Sequence, residues 1–437
     1  MIVPSIDILD GRAVQLRGNK YPKLDVGDPE ALADKLGVAG EIAIVDLNAA
    51  LGKGDNKALI KRILSMHECR VGGGIRNKDV ALEYLDAGAR RIMVGTMATP
   101  EFLSQFPASR LIAALDIKHD KIMVEGWTRQ TEDTLEARIK ELSPYVSGFL
   151  VTFIDREGVM SGLDMEKAKK LIEIAKGKRI TFAGGVPGGA QGVAEIASLD
   201  AMGADVQAGT ALATGELELA QAFSAPLKSD RPDGLWLTLV CDEAGRLLGH
   251  AYSDLESLSL AFGRRIGVYH SRPRGLWIKG ASSGDTQELL RAQLDCDRDC
   301  IRFIVKQNGK GFCHLGRRNC FDDGYGIEKL SRTIAARKRT APEGSYTKRL
   351  FTDPELLASK LREEADELAK AKTAQEAVLE AADVIYFALV KTVKEGGSLA
   401  DIEAELERRS YKVQRRPGNA KPGYSEKEEG EQWWGIH

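Results

Sequence analysis

At 437 residues the chain is too long for one hydrophobic core, so two or three domains are expected. Acidic and basic residues nearly cancel, 64 against 62, which leaves no basic footprint for a nucleic-acid backbone, and no apolar run approaches the ~20 residues of a membrane helix. Six cysteines in so long a chain exclude a secreted disulfide scaffold, and MIVPSIDILDGRAVQL lacks the features of a signal peptide, so a cytoplasmic, reducing compartment is expected.

Residues 1–225 alternate short apolar runs with helix-length segments such as DPEALADKLGVAG. The runs IVPSID, EIAIVDL, CRVGGG, RRIMVG, RLIAALD, GFLVTF, RITFAGG and ADVQAG are eight predicted strands. Eight such units predict a (β/α)8 barrel rather than a doubly wound sheet. SIDI (5–8) returns as ALDI (114–117), VGGGI (71–75) as AGGV (183–186) and VGT (94–96) as AGT (208–210), each roughly 110 residues later. The order is conserved between the copies, so a half-barrel repeat is expected.

The repeat puts Asp7 and Asp116 at the ends of strands 1 and 5, across the C-terminal mouth from one another, where one carboxylate can act as acid and the other as base. The glycine-bearing strand ends pair as Gly73/Gly74 with Gly95/Thr96 and Gly184/Gly185 with Gly209/Thr210. Such ends expose backbone N–H groups beside a helix N-terminus, and two facing cradles suit a substrate with two phosphates. Plain turns and solvated aspartates are the alternative.

On the motifs PSIDILDGRAVQL, VDLNAALGKG, VGGGIR, VGT, LDI and TFIDREG, residues 1–225 resemble phosphoribosylformimino-AICAR-phosphate isomerase, a half-barrel-repeat enzyme of histidine biosynthesis. The resemblance implies an Amadori-type aldose-to-ketose isomerisation carried by Asp7, Asp116 and Thr152 without a metal, with Arg76 of VGGGIR at the phosphates. Three features depart from the family pattern: Glu157 in place of Asp, Thr210 in place of Arg, and the irregular AGGVPGGAQGV.

SAPLKSDRPDG (224–234) reads as a linker, after which LWLTLVCD and RLLGHAYS change the pattern to β-type. LDCDRDC (294–300) then packs three aspartates and two cysteines together. As a strand it would place Asp295, Asp297 and Asp299 on one face, where like charges favour a cation, and Cys296 and Cys300 on the other. An EF-hand loop does not fit, because its glycine and closing glutamate are missing. Cys296 could join Cys313 and Cys320 as three zinc ligands with a fourth position open for water. Buried cysteines beside a solvated acidic strand are the alternative.

Residues 232–321 resemble phosphoribosyl-AMP cyclohydrolase through DGLWLTLVCD, YHSRPRGLWIKGASSGDTQ, LDCDRDC and FCHLGRRNCF. This resemblance implies zinc on Cys296, Cys313 and Cys320, magnesium on Asp295, Asp297 and Asp299, and His314 as a proton carrier. It also implies Arg272, Trp277, Lys279 and Ser283 near the nucleotide, and a homodimer whose site forms between subunits. Cys300 is extra to the pattern and is expected only to pack.

From about Ile327 the sequence turns to long charged helices, with Asp353 and Pro354 as an N-cap and first-turn pair. Leu357, Leu361, Ala365 and Leu368 form the predicted apolar stripe of one helix. Glu363, Glu364 and Glu367 cluster on it, and Glu380 and Asp383 follow on the next. Magnesium holding a triphosphate and activating water is the matching chemistry, and a solvated charged face is the alternative. ExxE followed by ExxD, within SYTKRLFTDPELLASKLREEADEL and EAADVIYFALVK, resembles phosphoribosyl-ATP pyrophosphohydrolase, which implies Glu364 and Glu367 in catalysis.

The expected organisation is multidomain: a (β/α)8 barrel over 1–225, a β-rich α+β zinc module over 230–325, an all-α module over 327–416 and a flexible tail over 417–437. The expected function is three successive steps of histidine biosynthesis. Zinc and magnesium are the expected cofactors, phosphoribosyl nucleotides the partners, and neither nucleic acid nor membrane is involved. A bifunctional hydrolase with a scaffold barrel and a nucleotide-sensing metal protein are the other two readings.

Overall fold

The computed structural model describes residues 1–17, 20–119, 121–124, 127–321 and 326–413. The predicted tail lies outside these residues, as do positions 414–416.

Twelve strands form the N-terminal sheet: β1 (Ile2–Leu9), β2 (Arg12–Arg17), β3 (Lys20–Gly27), β4 (Ile42–Asp46), β5 (Cys69–Gly72), β6 (Arg91–Val94), β7 (Leu111–Lys118), β8 (Lys121–Val124), β9 (Arg129–Gln130), β10 (Gly148–Phe153), β11 (Arg179–Ala183) and β12 (Asp205–Ala208). Eight of them pair in parallel in the order β1-β4-β5-β6-β7-β10-β11-β12, and β12 returns to β1 with Pro4 opposite Ala208. That closes a barrel. Val3, Ala43, Met93, Ile112, Leu150 and Ala183, contributed by six of its strands, form one apolar cluster. Helices cover the outside, so both strand faces are dry; every residue of β10 is buried, which is why the barrel strands read as continuous apolar runs.

The remaining four strands were not among the eight predicted. β2–β3 follows β1 and β8–β9 follows β7, each as an antiparallel extension. β1 and β7 have 8 residues each, longer than any other barrel strand, and the excess carries the hairpin beyond the rim. The half-barrel repeat therefore extends to its loops.

A six-stranded sheet follows, built from β13 (Trp236–Cys241), β14 (Leu247–Ser253), β15 (Val268–Ser271), β16 (Gly275–Ile278), β17 (Gln287–Leu294) and β18 (Cys300–Gln307) in the order β16-β15-β14-β13-β18-β17. The helix Leu255–Arg264 starts from a reciprocal Asp254/Ser257 capping box. The strand expected over LDCDRDC is corrected: Asp295–Asp299 form the turn between β17 and β18. Asp295 Oδ1 accepts from the N–H groups of Asp299 (3.1 Å) and Cys300 (3.2 Å), and Arg298 takes φ +70°, a left-handed conformation foreign to strands.

The barrel and this sheet share one hydrophobic cluster, in which Phe223 meets Phe262 edge-on at 5.2 Å between ring centroids. The connecting linker is tied down where the Lys228 N–H donates to Arg298 O at 2.7 Å. Five helices complete the fold: Gly326–Thr340, Tyr346–Thr352, Pro354–Lys370, Ala374–Lys394 and Leu399–Ser410. They have their own core around Ile334, Leu350, Leu357, Phe387 and Val390. Asp353 caps as expected, accepting from the Leu356 N–H at 2.9 Å. The predicted stripe needs one correction: Ala365 is exposed, and Glu364, two turns after Leu357, occupies the buried position. Among the described residues no helix is long and apolar enough to cross a membrane.

Candidate active sites

One cavity of about 550 Å³ fills the barrel mouth. All twelve barrel residues singled out from the sequence line it: Asp7, Gly73, Gly74, Arg76, Gly95, Thr96, Asp116, Thr152, Gly184, Gly185, Gly209 and Thr210. Asp7 is half-buried near the end of β1, and burial raises its carboxyl from 3.8 to about 7. Burial raises Asp116 too, but hydrogen bonds from Trp127 and Thr152 favour its charged form and pull it back. The Trp127 indole N–H donates to Asp116 Oδ2 at 2.7 Å. Thr152 lies directly opposite Asp116 across the β10–β7 pairing. Burial thus acts alone on Asp7, whereas at Asp116 hydrogen bonds oppose it.

The strand-end glycines are fixed by close backbone approach. At Gly73, φ is +93° and a Cβ would lie 2.3 Å from Asp46 O; at Gly184, φ is +90° and a Cβ would lie 2.4 Å from Phe153 O. Arg76 donates to Ala49 O (3.1 Å) and Ala50 O (2.7 Å), which pins the short helix Leu47–Leu51 after β4 against the first cradle. In the second cradle the Thr210 hydroxyl donates to Gln15 Oε1 at 2.9 Å, so the residue standing in place of the family's arginine is braced from β2.

Two mouth residues escaped the sequence reading. Glu157, noted only as a departure from the family pattern, is raised to about 8 by burial and then by the charges of Asp7 and Asp116. Trp127 carried no motif; the only signal was a lone aromatic in the polar stretch EGWTRQ.

In the six-stranded module Cys313 and Cys320 face one another, the second thiol being raised by burial and then by its neighbour. Buried Lys279 stands beside them, with Nζ donating to Asp285 O (3.2 Å) and Gly311 O (3.4 Å). Two facing thiols are soft sulfur donors of the kind zinc takes, so the donor chemistry fits zinc. Cys296 is exposed in the β17–β18 turn, and within one chain the described residues do not gather it with the other two thiols. Asp295, Asp297 and Asp299 do converge, with carboxylate oxygens within 4.8 Å of one another, although a turn rather than strand alternation brings them together. Asp299 is raised by the other two, as expected for crowded like charges.

His314 is exposed on the loop after Cys313. Arg272, also exposed, lies over the Tyr252 ring at 5.1 Å, and Trp277 packs on Tyr269 at 5.7 Å. Ser283 Oγ accepts from the Asp285 N–H at 3.2 Å. Cys300 opens β18 opposite Leu237, and all six cysteines are free.

On the C-terminal helices Glu364, Glu367 and Glu380 bring carboxylate oxygens within 4.8 Å. Burial raises Glu380, and the neighbouring Glu367, Glu364 and Asp383 raise it further. Lys360 Nζ lies 2.7 Å from Glu364 and 2.9 Å from Glu363, so Glu363 points to a lysine at the helix surface instead of joining the trio. Asp383 is exposed just beyond it. Three converging acids offer hard oxygen ligands of the kind magnesium takes.

Family models match in three consecutive blocks: histidine biosynthesis protein over residues 1–218, phosphoribosyl-AMP cyclohydrolase over 250–322, and phosphoribosyl-ATP pyrophosphohydrolase over 327–410. The histidine biosynthesis trifunctional protein of Neurospora crassa is 44% identical over 333 residues, which cover 73% of this chain and 38% of that protein. The histidine biosynthesis bifunctional protein of Schizosaccharomyces pombe is 49% identical over 212 residues, covering 48% of this chain and 51% of that protein. The chain thus spans about half or less of these fungal relatives. The imidazole-4-carboxamide isomerase of Methanocaldococcus jannaschii is 32% identical over 236 residues, covering 51% of this chain and 98% of that protein. On the closed parallel barrel and this near-complete match, the chain belongs to the histidine biosynthesis protein family.

Proposed function

We propose that the chain performs three successive reactions of histidine biosynthesis: hydrolysis of phosphoribosyl-ATP to phosphoribosyl-AMP and pyrophosphate, opening of the adenine ring, and isomerisation of the resulting formimino ribotide. The observation that carries this is the mouth, where Asp7 and Asp116 share one cavity between two glycine cradles. In the isomerisation the protonated carboxyl gives its proton to the ribose ring oxygen, which leaves C1 as the ring opens. The ionised one removes the C2 proton, giving an enolamine that is reprotonated at C1 to the ketose. Trp127 keeps Asp116 oriented, and the Asp7 carboxyl, raised to about 7, can give or take a proton near neutral pH. A barrel serving only as scaffold would have no need of this pair.

Bound at Cys296, Cys313 and Cys320, zinc would supply a water acidic enough to attack a purine carbon, and magnesium at the two acidic trios would offset phosphate charge. Lys279 holds the Cys313/Cys320 pair in a cationic environment. Cys296 lies apart from that pair in one chain, which supports a site completed by a second copy and hence a homodimer. Glu364, buried beside Lys360, would take a proton from water at the triphosphate. Cys313→Ser tests the assignment: zinc content should fall and ring opening stop while pyrophosphate release continues. Ring opening that persists without zinc would overturn it.

A further inference from the structure

Arg298 stands among three aspartates in the β17–β18 turn, yet its guanidinium turns away from their carboxylates. It reaches instead to the base of the barrel, where Nε lies 2.8 Å and Nη2 3.1 Å from the carboxylate of Asp200, on the helix Gly189–Ala201. The Arg298 backbone is held as well, its carbonyl accepting from the Lys228 N–H at 2.7 Å, and Nη1 donates to the Asp295 carbonyl. Asp200 is 5% exposed and Arg298 14%, so this pair is largely shielded from solvent. The same carboxylate receives the N-terminal ammonium at 2.7 Å, with Arg179 at 3.7 Å.

We propose that Asp200 is a positioning residue for the cyclohydrolase site: the barrel holds Arg298 off the aspartate trio and so keeps the trio open to a divalent cation. The inference rests on the magnesium reading of Asp295, Asp297 and Asp299. A guanidinium in the same turn is the nearest available counter-charge for crowded carboxylates, and it forms bidentate pairs with them readily. Left without Asp200 it folds back and competes with the cation. The barrel is thereby part of the hydrolytic site, independently of its own chemistry.

The test uses the full chain, zinc-loaded, carrying Glu364→Gln and Glu367→Gln to silence the helical acid trio. Manganese(II) binding is followed by electron paramagnetic resonance. Asp200→Asn should weaken binding on the order of tenfold, the range seen when a residue orienting metal ligands is lost. Adding Arg298→Gln to Asp200→Asn should restore most of the affinity, because the competitor is gone. Asp205→Asn also loses contacts to the N-terminal ammonium and Arg179, but not Arg298, and should bind as the parent does. Parent-like binding by Asp200→Asn, no recovery in the double variant, or equal weakening by Asp205→Asn each overturns the proposal. Asp297→Asn separates the two claims: if it binds manganese as the parent does, the turn is not a cation site and the magnesium reading falls first.

Discussion

Replacing Asp7 by asparagine should make the barrel more stable and inactive at once. Its carboxyl is raised from the ordinary 3.8 to about 7, so the folded state binds a proton more tightly than the unfolded chain does. The associated stability is fully present below pH 3.8 and is lost as pH rises through about 7. That interval is worth at most about 4 kcal/mol at about 1.4 kcal/mol per pH unit, and the open mouth hydrates the carboxylate enough to expect about half, ~2 kcal/mol. Asparagine cannot ionise, so the variant should match its parent at about pH 4 and exceed it by ~2 kcal/mol above about pH 8. Hydrogen exchange of peptides covering β1 measures this locally, which matters in a chain with three apolar clusters. Ketose formation should fall about 10²- to 10⁴-fold in the same protein. A variant whose pH dependence of stability parallels the parent would refute the claim that burial of this carboxyl carries the strain.

Three other outcomes follow from the geometry. Trp127→Phe removes the indole donor from Asp116 Oδ2, so the Asp116 pKa should rise and the limb of the isomerisation pH–rate profile that requires ionised Asp116 should move upward. Gly184→Ala forces a Cβ toward Phe153 O in a left-handed conformation; it should cost about 1–3 kcal/mol and raise KM for the ribotide, read by unfolding and steady-state kinetics. Glu364→Gln should cut pyrophosphate release at least about 10²-fold, while ring opening of added phosphoribosyl-AMP proceeds at the parental rate.

The parts of the molecule legible in the sequence are those that repeat or run continuously. The eight barrel strands declared themselves because both faces are buried, and the repeat located Asp7 opposite Asp116 without any contact information. LDCDRDC shows the opposite case: its three acids do converge, but through a turn held by Asp295 Oδ1, which strand alternation cannot represent. The sequence groups Glu364 with Glu363 and Glu367 but does not show that it alone is buried, because carboxylates rarely are; Lys360, four residues earlier, makes its burial tolerable. The Trp127 contact and the Asp200–Arg298 pair depend on tertiary placement, and Asp200 lies 98 residues from its partner. No local pattern encodes such pairs.

The most direct measurement of the three-step proposal is to give the purified full chain phosphoribosyl-ATP with magnesium and zinc and identify by mass and NMR the species that accumulates. Release of pyrophosphate followed by appearance of the ketose ribotide is the predicted result. Accumulation of the unisomerised formimino ribotide, with both hydrolytic steps complete, would contradict an active barrel.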